Sequence, residues 1–258
     1  MPLIEPKLEI AKGNYTNHSF IHKVGINDTT STTYETMWNG GDVYPTIGAT
    51  GRLLHISSSA NQDATGSIGA RTLTVEGLDV NYNTVTETIP LTGKALTTST
   101  NSYIALNDAF IATGGTAEQS GSISISLSGS SILGYVDSVY KQSMQAHYTV
   151  PANHTAYLQS VNCSVNQVGV PLSSGSFVLY QKPSGSVYRA LTFQQSSGTL
   201  SGEDMNNAIS FSEKTEIDLR VKGNSGPAAN GSTGNFALIV VNSNNIPIQG
   251  VNFQGFII

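Results

Sequence analysis

Hydrophobic and polar residues alternate along most of this chain, and the period is two. The clearest case is "GSISISLSG", where Ile123, Ile125 and Leu127 alternate with serines. That pattern predicts a strand with one dry face and one wet face. Similar pieces recur from about residue 21 to 135: "TTYETMWNG", "GRLLHISSS", "GARTLTVEGLD", "TVTETIPLTG" and "NSYIALNDAFIATGG". Turn signals separate them at intervals of about ten residues, the spacing of an antiparallel sandwich or barrel. The linkers are too short to hold crossover helices.

A second series starts near residue 136. Its pieces are "MQAHYTV", "AYLQSVNCSV", "GSFVLYQK", "SVYRALTFQQ", "AISFSEKTEIDLRVKG" and "NFALIVVN". In "TEIDLRV", Ile217, Leu219 and Val221 alternate with Glu216, Asp218 and Arg220, which predicts a core side and a polar side. The expected fold is all-β: two antiparallel β-sandwich (jelly-roll-like) units with an N-terminal extended arm. The expected boundaries are 1–20 for the arm, 21–135 for the first sandwich and 136–258 for the second, which carries a C-terminal apolar tail. "VNFQGFII" is read either as a final strand of the second sandwich or as a tail packed on a neighbouring subunit.

Composition narrows the functional classes. Charged residues make up 11% of the chain, against about a quarter in a typical globular protein. Ser, Thr, Asn and Gly fill the polar positions, giving a neutral surface of hydroxyls and amides. The net charge of −5 and the scattered Lys and Arg residues predict no nucleic-acid partner. The single cysteine, Cys163, allows no internal disulfide and shares an apolar face with Val161 and Val165, so it is expected to be a small buried hydrophobe. "MPLIEPKLEI" lacks the unbroken apolar stretch of a signal peptide, and no run of about 18 apolar residues exists. A soluble protein with no membrane partner is expected.

Candidate chemistry is sparse. Asp79, Asn81 and Asn83 have the two-residue spacing of a calcium loop, but its glycine position holds Thr84 and its bidentate Glu position holds Pro90. With strand-like flanks on both sides, the cluster is expected to turn a hairpin. No G-x-S-x-G, H-E-x-x-H, paired C-x-x-C or G-x-G-x-x-G occurs. His18 and His22 fall on one face of a strand but need a third ligand to hold a metal. The nearest carboxylate groups, Glu203–Asp204 and Glu213/Glu216/Asp218, lack the aromatic-rich stretches of a sugar cleft. Trp38 is read as core or interface. No catalytic residue, cofactor or metal is expected.

Residues 33 to 127 resemble a domain of virion structural proteins of tailed bacteriophages. The resemblance is carried by "YETMWNGGDVYP", "ISSSANQDATGSIGARTLTVEGLDVNYNTVTETIPLTG" and "NSYIALNDAFI". "MQAHYTVPANHTAYLQSV" is similar to β-sandwich segments of the same kind of protein. The resemblance implies a non-enzymatic capsid decoration (cement) protein, made in the host cytoplasm and sited on the outer capsid surface of the virion. The implied partners are the major capsid protein and the chain itself, as a homotrimer. Contacts are expected from Leu3, Ile4, Leu8, Ile10, Trp38, Phe253, Phe256, Ile257 and Ile258. Two other readings remain open. One is a head fibre or tail adhesin that binds host glycan through "GNSGPAANGSTG" and "QQSSGTLSGEDMNN"; the other is a glycan-degrading enzyme on a β scaffold.

Overall fold

The computed structural model describes residues 6–45, 50–127, 131–165, 174–196, 201–224 and 231–245, without the side chains of residues 6, 201 and 203–208. A short helix, α1 (Pro6–Ala11), comes first. It is followed by β1 (His18–Asn27), β2 (Glu35–Thr36), β3 (Arg52–Ser58), β4 (Ala70–Leu78), β5 (Thr84–Pro90), β6 (Thr97–Tyr103), β7 (Ala105–Gly114), β8 (Ile123–Leu127) and β9 (Ile132–Val136). Then come β10 (His147–Thr149), β11 (His154–Val165), β12 (Gly175–Lys182), β13 (Arg189–Ser196), β14 (Ser201–Phe211), β15 (Glu216–Gly223) and β16 (Ser232–Asn242).

The described chain is almost entirely β, and its strands pair antiparallel in four sheets. Their orders are β1-β16-β11-β14, β10-β15-β12-β13, β6-β3-β8-β9 and β5-β4-β7; β2 also pairs with β15. Two large groups of buried apolar side chains lie among them. One draws on β10, β11, β12, β14, β15 and β16, with Met37. The other draws on β3 to β9, with Trp38 and Tyr44. Successive residues, Met37 and Trp38, thus enter different cores.

The extended arm is corrected within its described part. Residues 6–11 form a helix because Lys, Leu, Glu and Ala favour one and Pro6 can occupy its first turn. Gly13, at φ 77°, closes the helix with its amide on the Ile10 carbonyl (2.9 Å). Ile10 is buried and Leu8 is half exposed.

Strand pairing also crosses the expected division at 135/136. β1 lies alongside β16 over its whole length, from His18↔Val241 to Asn27↔Ser232. β2 joins β15 through Arg220↔Thr36. The N-terminal strands therefore belong to sheets built from the C-terminal half, and residues 28–146 are inserted between β1 and β10. Local periodicity could not reveal this, because β1 finds its partner more than 200 residues away. Gly25 is required at the join: a Cβ there would lie 2.1 Å from the Met37 carbonyl oxygen.

Candidate functional site

A constellation of charged and aromatic side chains lies on the face of β15 that points away from its core. Ile217, Leu219 and Val221 take the inner positions, so Glu216, Asp218, Arg220 and Lys222 project outward. This is the polar side the alternation predicts, and it is not open to water throughout: Asp218 is fully buried. Neighbouring strands and loops cover it. Register places His147 and Tyr180 on either side of Asp218, Thr36 and Val178 beside Arg220, and Thr149 and Lys182 beside Glu216.

Each charge in the middle of this face has a partner. Arg220 Nε donates to Asp218 Oδ2 at 2.6 Å, and Thr36 Oγ1 donates to the same oxygen at 3.1 Å. The guanidinium carbon sits 4.2 Å from the Tyr188 ring centre and 4.6 Å from that of Tyr180. Lys182 Nζ and the Tyr188 hydroxyl donate to the two oxygens of Glu216, at 2.9 and 2.6 Å. Lys222 Nζ lies 4.9 Å from the Tyr34 ring centre. Burial works to raise the Glu216 carboxyl, but the Tyr188 hydrogen bond, His147 and Lys182 together hold it below the usual value. Burial, then the Asp218 and Glu216 charges, push the Tyr188 phenol far above its ordinary value. These groups are committed to each other, and the phenol stays protonated. The arrangement suits contact rather than proton transfer. Phe193, paired with Val178 on β12 and 57% exposed, extends it with open apolar surface. Tyr, Phe and Arg are the residue types that dominate protein contact surfaces.

One edge of this face meets the inserted residues. The His147 ring stacks on Tyr44 at 3.9 Å, and burial lowers its pKa despite the nearby Asp218 and Glu216 charges. Asn107 Nδ2 donates to the Thr149 carbonyl (3.0 Å), and the Thr149 amide donates to Asn107 Oδ1 (2.9 Å). Buried Lys23 reaches from β1 to the Asn107 carbonyl (2.5 Å) and lies 3.8 Å from Asp108. These bonds tie the β7 residues to β1 and β10.

The other sequence candidates are dispersed. Asp79 turns the chain: its carboxylate accepts from the Asn81 amide (2.8 Å), the Asn83 amide (2.9 Å) and Asn83 Nδ2 (3.1 Å). Glu87 stands apart on β5 and accepts from Thr100, Asn101 and Tyr103. His18 and His22 are both on β1, with His22 exposed. Cys163 is buried, and burial raises its thiol to about 12. Trp38 is a core residue whose Nε1 donates to the carbonyls of Gly41 and Asp42; it offers almost no surface to a partner. Glu213 accepts from the Asn153 amide.

Leu3, Ile4, Phe253, Phe256, Ile257 and Ile258 lie outside the described residues, as do the Glu203 and Asp204 side chains and the middle of both candidate glycan loops. Among the described residues no three His, Cys, Asp or Glu side chains group as metal ligands. No described helix is long and apolar enough to cross a membrane. Sequence reading missed the tyrosine cluster because Tyr34, Tyr180 and Tyr188 come from separate segments. The mixed-sign triplet Glu216, Asp218 and Arg220 on one strand face was its only local sign.

No family model matches the chain, and no curated protein sequence matches it. Solved structures give distant likenesses. A structure of the infectious bursal disease virus Gt strain is 12% identical, with 90% of this chain and 74% of that one covered and a TM-score of 0.27. The VP2 subviral particle of infectious bursal disease virus is 12% identical, covering 95% and 80%, with a TM-score of 0.25. The mitogen derived from Yersinia pseudotuberculosis is 10% identical, covering 43% and 94%, with a TM-score of 0.16. Viral capsid proteins are thus among the weak structural neighbours. At these scores none of the likenesses assigns this chain a family or a role.

Proposed function

We propose that this chain is a non-enzymatic structural component of a tailed-phage particle, acting as a decoration protein on the outer head surface. The observation that carries the reading is the strand order of the two sheets that share the first core. Numbered 1 to 8 along the chain, β1 and β10 to β16 lie in the orders 1-8-3-6 and 2-7-4-5. Strands 1 and 8, 2 and 7, 3 and 6, and 4 and 5 are neighbours, as in a long hairpin rolled into two facing sheets. That is the order of a jelly roll, an architecture of viral capsid and lectin domains. Fold analogy alone does not assign a function. The resemblance of residues 33–127 to phage virion proteins supplies the setting, and the charge-paired tyrosine face supplies a surface made for contact.

In this reading the chain binds the major capsid protein and associates with itself as a trimer. The residues before β1, with Leu8 exposed on α1, reach a neighbouring capsid subunit. Weak contacts repeated over a lattice then add by avidity. The test is to mix purified chain with heads that lack it and measure co-sedimentation. Saturable binding, lost when residues 1–12 are deleted and β1 is kept, is the expected result. Heads that take up no chain overturn the reading.

A second reading, a glycan-binding fibre or adhesin, is favoured by exposed Phe193 beside the tyrosines, because aromatic rings stack on sugar faces and jelly rolls also serve as lectins. Binding of the purified chain to host envelopes, lost with Phe193→Ala, would move this reading to first place.

A further inference from the structure

The core between the two jelly-roll sheets is open at one end. There, facing β4 and β5, a groove of about 180 Å³ is walled on one side by Ile21, Gly77, Tyr148, Pro151, His154 and Val240, and polar Ser19, Glu76, Thr84 and Asn107 complete its lining. Tyr148 and Val240 are members of that core, and Ile21 packs against it, so one wall of the groove continues an apolar interior to the surface. It is smaller than the roughly 300–1,000 Å³ of pockets for drug-sized ligands. It has room for one large side chain.

We propose that this groove seats an apolar side chain from residues 246–258 of the same chain, with Phe253 the aromatic candidate nearest in sequence to β16. Three observations select this occupant. The first is where the chain leaves β16. The Asn242 amide donates to the Asn17 carbonyl (2.9 Å), and the Ser243 amide donates to the Asn153 carbonyl (2.7 Å). These bonds hold the exit against the 151–154 turn, whose Pro151 and His154 form the groove wall. The second is reach. The eight residues 246–253 span up to about 26 Å when extended, enough to leave the rim and turn back. The third is composition. "IPIQGVNFQGFII" has no charged residue, so seating it buries no charge of its own beside Glu76, and it offers Ile246, Ile248, Val251, Phe253, Phe256, Ile257 and Ile258. A tether this short keeps the segment at roughly millimolar effective concentration beside the groove. Contacts with other molecules then fall to the N-terminal residues and the tyrosine face.

The test uses two independent measurements. In the full chain, Ser19→Cys in the groove lining is paired with Phe253→Cys; native Cys163 is buried, and burial raises its thiol to about 12. Under mild oxidation an intramolecular disulfide is expected. A disulfide-linked dimer would overturn the same-chain seat and assign the groove to a neighbouring copy, and no disulfide at all would overturn the proposal outright. In the second measurement the chain ends after Asn245. Amide exchange at Ser19, Ile21 and Val240 should rise about tenfold. Adding a synthetic peptide of residues 246–258 should restore the protection, and Ser19→Trp, which fills the groove, should abolish the effect of the peptide. Unchanged exchange on truncation counts against the seat. Should the truncated chain fail to fold, the disulfide in the full chain still decides.

Discussion

Asp218 and Arg220 show what a buried pair does at the scale of one residue. Asp218 is fully buried and its Oδ2 takes both Arg220 and Thr36. Replacing Asp218 with Ala strands the guanidinium between two rings without its counter-ion. The expected loss is about 3 kcal/mol or more in urea unfolding, whereas Lys182→Ala, at a partly exposed pair, costs about 1 kcal/mol or less. His147 sets a pH dependence. Burial depresses its folded pKa below the ordinary 6.5; Asp218 and Glu216 on β15 oppose the shift, and Lys23 on β1 and Arg220 on β15 reinforce it. Below pH 6.5 the unfolded state takes a proton that the folded state refuses, so stability falls as pH drops. Glu216, held low, contributes above its ordinary value of 4.5 and loses that contribution only at more acid pH. Between pH 6.5 and 5 the slope thus contains the His147 contribution. His147→Phe, which keeps the stack on Tyr44, should flatten urea midpoints across that range. Cys163, with its thiol raised to about 12, should react with a thiol reagent only as fast as the chain unfolds. Rapid labelling of the native protein would contradict its placement.

At the scale of elements, the sequence was most readable where one face is dry and the other wet. β8 buries Ile123, Ile125 and Leu127 as its alternation predicts. The Asp79 turn was readable for the same kind of reason: an Asp followed by Asn at two and four residues can satisfy its own backbone. Asp79→Ala removes three hydrogen bonds at an exposed site. The expected cost is about 1 kcal/mol, with no change in melting temperature on adding calcium to the unaltered protein. A calcium-dependent rise would restore the ion-site reading. β15 was half readable. Its inner residues followed the pattern, but the outer set is covered by Tyr180, Tyr188 and Thr36, which lie far off in sequence. α1 escaped notice because six residues are too few to show a helical period, and β1 because its neighbour β16 is distant.

At the scale of the whole molecule, one architecture is interrupted by another. Strand 1 of the eight-strand order is made first, residues between Trp38 and Val136 build a separate core, and strand 2 resumes at His147. A linear reading divides such a chain at its midpoint, since nothing near residue 135 marks the N-terminal strand as belonging to the later sheets. The polar junction of Lys23, Asn107 and Thr149 holds the two cores together. The central claim is that this assembly serves on the outside of a phage head. The measurement that tests it most directly is electron cryomicroscopy of intact particles with a count of copies per particle. Copies at every equivalent position of the head lattice are the predicted result. A few copies confined to the tail or a single vertex, or none, would contradict it.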